Sequence, residues 1–209
     1  MSDGGVEVLV SGAPTVLPGQ RGAYRPHEWL AGSTARFGMV VFLASDVMLF
    51  AAFFSAYYVL RGANAPWPPR DVDLDVMRAL IATIVLVSSS FTLIAGDRAI
   101  AAGESRRARR WVLLTVALGL AFAVNQVLEY RDLTFGLDDH PYGSAYWMLT
   151  GVHGAHVLAG LGALLLLFVR LVRARDLQRV EPYAGGVSLY WHMVDAVWVA
   201  VFLTVWVVQ

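Results

Sequence analysis

The sequence predicts an all-α fold: a polytopic membrane bundle of five transmembrane helices, N-terminus cytoplasmic and C-terminus outside. Three observations carry that prediction. Of the 209 residues, 57% are hydrophobic and 15% charged, against roughly 25% charged in soluble domains. Five apolar runs reach the ~20 residues that a helix needs to cross about 30 Å of hydrocarbon. The arginines fall mostly in alternate connections, as topology requires of a membrane protein.

Taken in order, residues 1–35 read as a mobile cytoplasmic tail with Gly, Pro and Ser, without the basic start and long apolar core of a signal peptide. Residues 36–209 form the membrane domain. Its predicted spans are Phe37–Leu60, Ala79–Ala101, Trp111–Tyr130, Ala145–Val172 and Val187–Val208. None alternates apolar with polar residues as a barrel strand does, so helices are the spanning form. Arg98, Arg106, Arg107, Arg109 and Arg110 join the second and third spans, and Arg170, Arg173, Arg175 and Arg179 join the fourth and fifth. Together with Arg21, Arg25 and Arg36 these mark the cytoplasmic side. The opposite connections hold Arg61, Arg70, Arg78 and Arg131, offset by aspartates, and a stiff Ala65-Pro66-Trp67-Pro68-Pro69 loop. Trp and Tyr near the span ends, Tyr57, Tyr58, Trp111, Tyr130, Tyr146, Trp147, Tyr190, Trp191 and Trp206, fit interfacial belts. Small residues predict close helix approach: Ser88, Ser89, Ser90 and Thr92 in the second span, Gly151, Gly154, Gly160 and Gly162 in the fourth.

Zero net charge argues against nucleic acid as a partner. Absence of cysteine removes disulfides and thiolate metal sites. No phosphate-binding glycine motif occurs, and no internal repeat or broken helix of a stand-alone transporter is visible.

Ionisable residues inside membrane spans are costly and mark function or a specific partner. Asp46 lies roughly 15 Å into the first span. Asn125, Gln126 and Glu129 share one side of the third. His153 and His156, and likewise His192 and Asp195, lie three residues apart near mid-membrane. Three readings stand beside one another. A di-metal site would make the chain a stand-alone membrane metalloenzyme, although carboxylates are sparse for it. A structural polar network of Asn125, Gln126, Glu129, His153, His156, His192 and Asp195, turned inward, would fix helix register. Proton handling suits Asp46, with a neutral packing carboxyl as its bland counterpart. No catalytic residue and no metal or cofactor ligand set is assigned. Histidines three apart on one helix cannot supply the opposite axial ligands of a haem.

The segments FLASDVMLFAAFFSAYY around Asp46, LVSSSFT at 86–92, TGVHGAHVLAG at 150–160 and YWHMVDAVWVAVFLTVWVV at 190–208 resemble, in the same order, the subunit III family of haem–copper oxidases. NQVLEYRDL at 125–133 and YGSAYW at 142–147 agree, and WPP at 67–69 with EYRDL makes the chain most similar to the five-helix actinobacterial cytochrome c oxidase form. The resemblance implies a non-catalytic subunit of a proton-pumping oxidase in the bacterial plasma membrane. Such a subunit stabilises catalytic subunit I by direct contact, supports proton uptake and binds phospholipid. Electrons pass from cytochrome c to oxygen through haem and copper held by partner subunits. Subunit II, other oxidase subunits and a cytochrome bc-type complex in a supercomplex are further implied partners. Where the family has a carbodiimide-reactive Glu after Ser, this chain has Ser45-Asp46. Within the same family, subunit III of a quinol oxidase or of a nitric oxide reductase-type complex are the alternatives.

Overall fold

Among the described residues the main elements are helices α1 (Pro26–Ala63), α2 (Val76–Ala101), α3 (Ser105–Asp132), α4 (Pro141–Arg173) and α5 (Glu181–Phe202), and five helical segments, the last running through α5 to Val208, are long and apolar enough to cross a membrane. The computed structural model describes the backbone of residues 26–70 and 72–208, with side chains at Thr34 and from Phe37 onward; no strand occurs among the described residues. The expected tail at 1–35 lies outside the described residues up to position 25, and α1 already begins at Pro26.

Local chemistry sets several ends. Asp75 caps α2 by accepting from the Arg78 amide at 3.0 Å. The Gly103 turn, at φ 75°, reverses the chain between α2 and α3, with the Gly103 and Glu104 amides closing on Ile100 and Ala99 carbonyls at 3.0 and 2.9 Å. Only glycine enters that region without a Cβ penalty. The His140 ring accepts from the Gly143 amide at 2.7 Å ahead of Pro141, whose missing N–H costs nothing at the first helical position. A short 3₁₀ turn, Leu177–Arg179, leads into α5, and α5 widens into a π turn over Leu203–Val208.

α2 packs between α3 and α5, α4 packs between the same two, and α1 leans on α4 and α5. α5 is the most enclosed span and α1 the least. With lipid as apolar as leucine, what holds such a bundle is shape fit and internal hydrogen bonding. Trp191 supplies both. Its indole, fully buried, lies between Gly119 of α3 and Gly160 of α4, where an added Cβ would stand 2.8 Å from ring carbons on either side. Its Nε1 donates to Ser89 Oγ on α2 at 2.8 Å. One side chain of α5 thus ties three other helices.

Two expectations change here. Trp191 is not an interfacial anchor but the centre of the bundle, and Tyr57, Tyr146 and Trp206 are buried as well. Of the four α4 glycines expected to mark close approach, Gly160 alone meets a neighbour; a Cβ at Gly151, Gly154 or Gly162 would meet nothing within 4 Å. Periodicity shows that small residues share a helix, not which of them has another helix opposite.

Candidate functional site

The polar side chains within the spans fall into separate groups. In the first, α1 and α4 bring Asp46 and His156 together, with Asp46 Oδ2 3.7 Å from His156 Nε2. Asp46 is 8% exposed, and its Oδ2 is enclosed without a hydrogen bond. The His156 Nδ1 lies 2.8 Å from the Val152 carbonyl. A carbonyl only accepts, so Nδ1 carries a proton and Nε2 faces the carboxylate. Phe50 lies edge-on to the imidazole, ring centres 5.1 Å apart, and excludes water on that flank. Asp46 is therefore not isolated, although sequence alone leaves it so.

His153, three residues earlier, does something different. It is 1% exposed, and neither ring nitrogen has a partner among the described residues. Phe50, Phe122 and Trp198 surround it with ring centres at 6.2, 6.3 and 5.0 Å, so it acts as an aromatic plate in the core.

The third group joins α2 to α5. Ser90 Oγ donates to Asp195 Oδ2 and meets His192 Nδ1 at 2.8 Å, so one hydroxyl serves both residues predicted as a pair. About two turns toward the α2 C-terminus, Ser188 Oγ donates to Asp97 Oδ2 at 2.5 Å. In the other direction Trp198 Nε1 donates to Thr83 Oγ1 at 3.0 Å.

The fourth group lies toward the α1–α2 and α3–α4 connections. Arg78 donates to Asn125 Oδ1 at 3.0 Å and pairs with Asp132 at 2.6 Å. Glu129, 6% exposed, accepts from Tyr146 Oη at 3.4 Å, and Tyr130 donates to Thr150 at 2.9 Å. Gln126 is buried, with neither amide atom bonded among the described residues.

The seven residues expected as one polar network thus sit in distinct places. His192 and Asp195 share a partner; Asn125, Gln126 and Glu129 stay together on α3; His153 and His156 point to different neighbours. Asp97 and Ser90 escape a reading of sequence alone. Asp97 stands beside Arg98 near the end of a span, where a charge draws no notice, and Ser90 looks like another small packing residue. An Asp inside an apolar run was the signal available for the first. Among the described residues, no three His, Asp or Glu side chains gather as a bound metal ion would require. The arrangement can hold and pass a proton between carboxylate and imidazole and can lock helices.

Comparison with known proteins gives a consistent result. Residues 22–208 match the family described as cytochrome c oxidase subunit III. A probable cytochrome c oxidase subunit 3 of Nocardia farcinica is 35% identical over 92% of this chain and 97% of its own length. Cytochrome c oxidase subunit 3 of Corynebacterium diphtheriae is 38% identical, covering 82% and 87%. The protein of that name from the cyanobacterium Thermostichus vulcanus is 34% identical, covering 81% and 85%.

Proposed function

The chain belongs to the cytochrome c oxidase subunit III family, and from that premise we propose that it stabilises the catalytic subunit and holds a proton for uptake at Asp46 and His156. It is subunit III of a cytochrome c oxidase, a multi-pass protein of the bacterial plasma membrane. Electron transfer and oxygen chemistry belong to haem and copper in partner subunits, with subunit I the direct neighbour. Subunit II, bound phospholipid and a bc-type complex complete the proposed surroundings. The arginine distribution supports a cytoplasmic N-terminus, which puts Asp46 nearer the side from which protons are taken.

The observation that carries the proton reading is the Asp46–His156 pair. With Nδ1 held by the Val152 carbonyl, one proton can reside on Oδ2 or on Nε2, and a 3.7 Å gap closes with a small side-chain shift. Burial beside Phe50 keeps the exchange out of bulk water. The carboxylate of aspartate, one methylene shorter than glutamate, reaches the imidazole because α1 leans directly on α4.

Asp46→Asn tests the reading: shape is kept and titration removed. The substituted oxidase assembles with this chain retained, and either proton uptake slows or catalytic lifetime shortens. An oxidase that fails to retain the chain assigns Asp46 to packing; unchanged uptake and lifetime remove the proton role.

A further inference from the structure

The α2–α5 seam has an unfinished hydrogen-bond chain at membrane depth. Ser90 donates its proton to Asp195, so its oxygen accepts from His192 Nδ1–H. The remaining nitrogen, Nε2, is then an acceptor. The His192 ring is half-buried, and Nε2 is neither enclosed nor bonded among the described residues. Residue 192 lies about 17 Å along α5 from Glu181, well inside the span. Lipid tails offer no donor there, and polar groups at that depth find protein partners.

The surface around Nε2 suits a helix. On α5 the exposed ridge runs through Gly185, Leu189, His192, Ala196 and Leu203 at helical spacing. A Cβ at Gly185 would meet nothing within 4 Å, so a neighbouring backbone can come close. On α2, Phe91, next in sequence to Ser90, is 68% exposed.

We propose that this ridge, centred on His192, is an interface for a transmembrane helix of another oxidase subunit that presents a hydrogen-bond donor to His192 Nε2. The proposal rests on the reading of the chain as an oxidase subunit. Hydrogen-bond complementarity selects the occupant: an acyl chain covers the ridge but leaves Nε2 unsatisfied, whereas a Ser, Thr, Tyr, Trp or Arg side chain on a helix completes the chain from Asp195 outward. α3 gives the contrast, since Leu120 and Val124 are 54% and 50% exposed on an apolar outer face that lipid satisfies.

The test uses the whole purified oxidase. A photoreactive benzoylphenylalanine replaces Leu189 or Ala196 on the ridge, or Leu120 on α3, leaving His192 intact, and adducts are identified by mass spectrometry after irradiation. Adducts of positions 189 and 196 with another oxidase subunit, and of position 120 with lipid, are expected. Lipid adducts alone from both ridge positions, or protein adducts from position 120 only, overturn the interface. Absence of the chain from the purified oxidase before irradiation overturns the parent reading, and the interface with it. Retention through detergent washing gives the second readout. His192→Phe lowers it roughly three- to twentyfold, the range of interhelical hydrogen bonds in membranes. His192→Gln, with an amide near the position of Nε2, retains the chain better. Equal loss in both variants contradicts the role of Nε2.

Discussion

Replacing Gly160 by alanine perturbs the bundle at its tightest point. The new methyl would stand 2.8 and 2.9 Å from Trp191 Cε3 and Cζ3, where carbon atoms settle about 3.5–4.0 Å apart. The indole cannot retreat. On its far edge a Cβ at Gly119 would already be 2.8 Å away, so α3 closes that side, and Nε1 is held by Ser89. Relief must come from moving α4 or breaking the Ser89 bond. Overpacking of this kind costs about 1–3 kcal/mol. Helix propensity runs the other way, since Gly→Ala in a helix interior gains up to ~1 kcal/mol. Steric overlap wins at Gly160, for a net loss of about 1–2 kcal/mol. At Gly151 and Gly154, with open space around the Cβ, propensity wins, and Ala is neutral or stabilising. The assay is the thermal transition for loss of this chain from the purified oxidase, measured in a double-mutant cycle with Trp191→Phe. Phe lacks the outer carbons that the methyl strikes, so Gly160→Ala costs less in that background, with a coupling above ~0.5 kcal/mol. Equal costs in both backgrounds would refute the wedge, as would destabilisation at Gly151 matching that at Gly160.

Three further outcomes follow from the same contacts. Ser90→Ala strips the shared partner from Asp195 Oδ2 and His192 Nδ1 and lowers stability by about 1–3 kcal/mol in the same thermal assay; a change under ~0.5 kcal/mol would contradict the bonding described. Trp198→Phe keeps an aromatic ring against Phe122 and His153 but removes the donor to Thr83, for a loss of about 0.6–1.7 kcal/mol by thermal shift, largely abolished when Thr83 is already Val. Arg78→Gln breaks a pair whose Asp132 side chain is 69% exposed, so it changes stability by less than ~1 kcal/mol and leaves oxygen consumption unaltered; a large loss would mean that this end is drier than its exposure indicates.

The existence and number of the spans are legible in the sequence, because hydrocarbon thickness imposes a length that five runs satisfy. Their ends are less so. α3 starts at Ser105 and not near Trp111, since an arginine-rich turn stays helical once it leaves the hydrocarbon. α4 starts at Pro141, where His140 and Pro141 together form a cap that hydropathy ignores. Within the site, spacing revealed which polar residues share a helix face, as with His192 and Asp195. It could not reveal which helix lies opposite. That Asp46 meets His156 depends on the adjacency of α1 with α4, that Ser90 completes the His192 pair on that of α2 with α5, and that His153 is walled in by aromatics on α1, α3 and α5 all lying against α4. Trp191 shows the same limit from the packing side: beside Tyr190 in an apolar run it resembles an interfacial aromatic, yet two glycines on other helices make room for it at the centre.

The most direct measurement compares the intact oxidase with one from which this chain has been removed, recording haem and copper content, initial oxygen consumption with reduced cytochrome c, and the number of turnovers before activity is lost. A scaffold that supports proton uptake predicts unchanged metal content and a near-normal initial rate, followed by earlier inactivation. Loss of haem or copper in proportion to the missing chain, or an undiminished lifetime without it, would contradict the account.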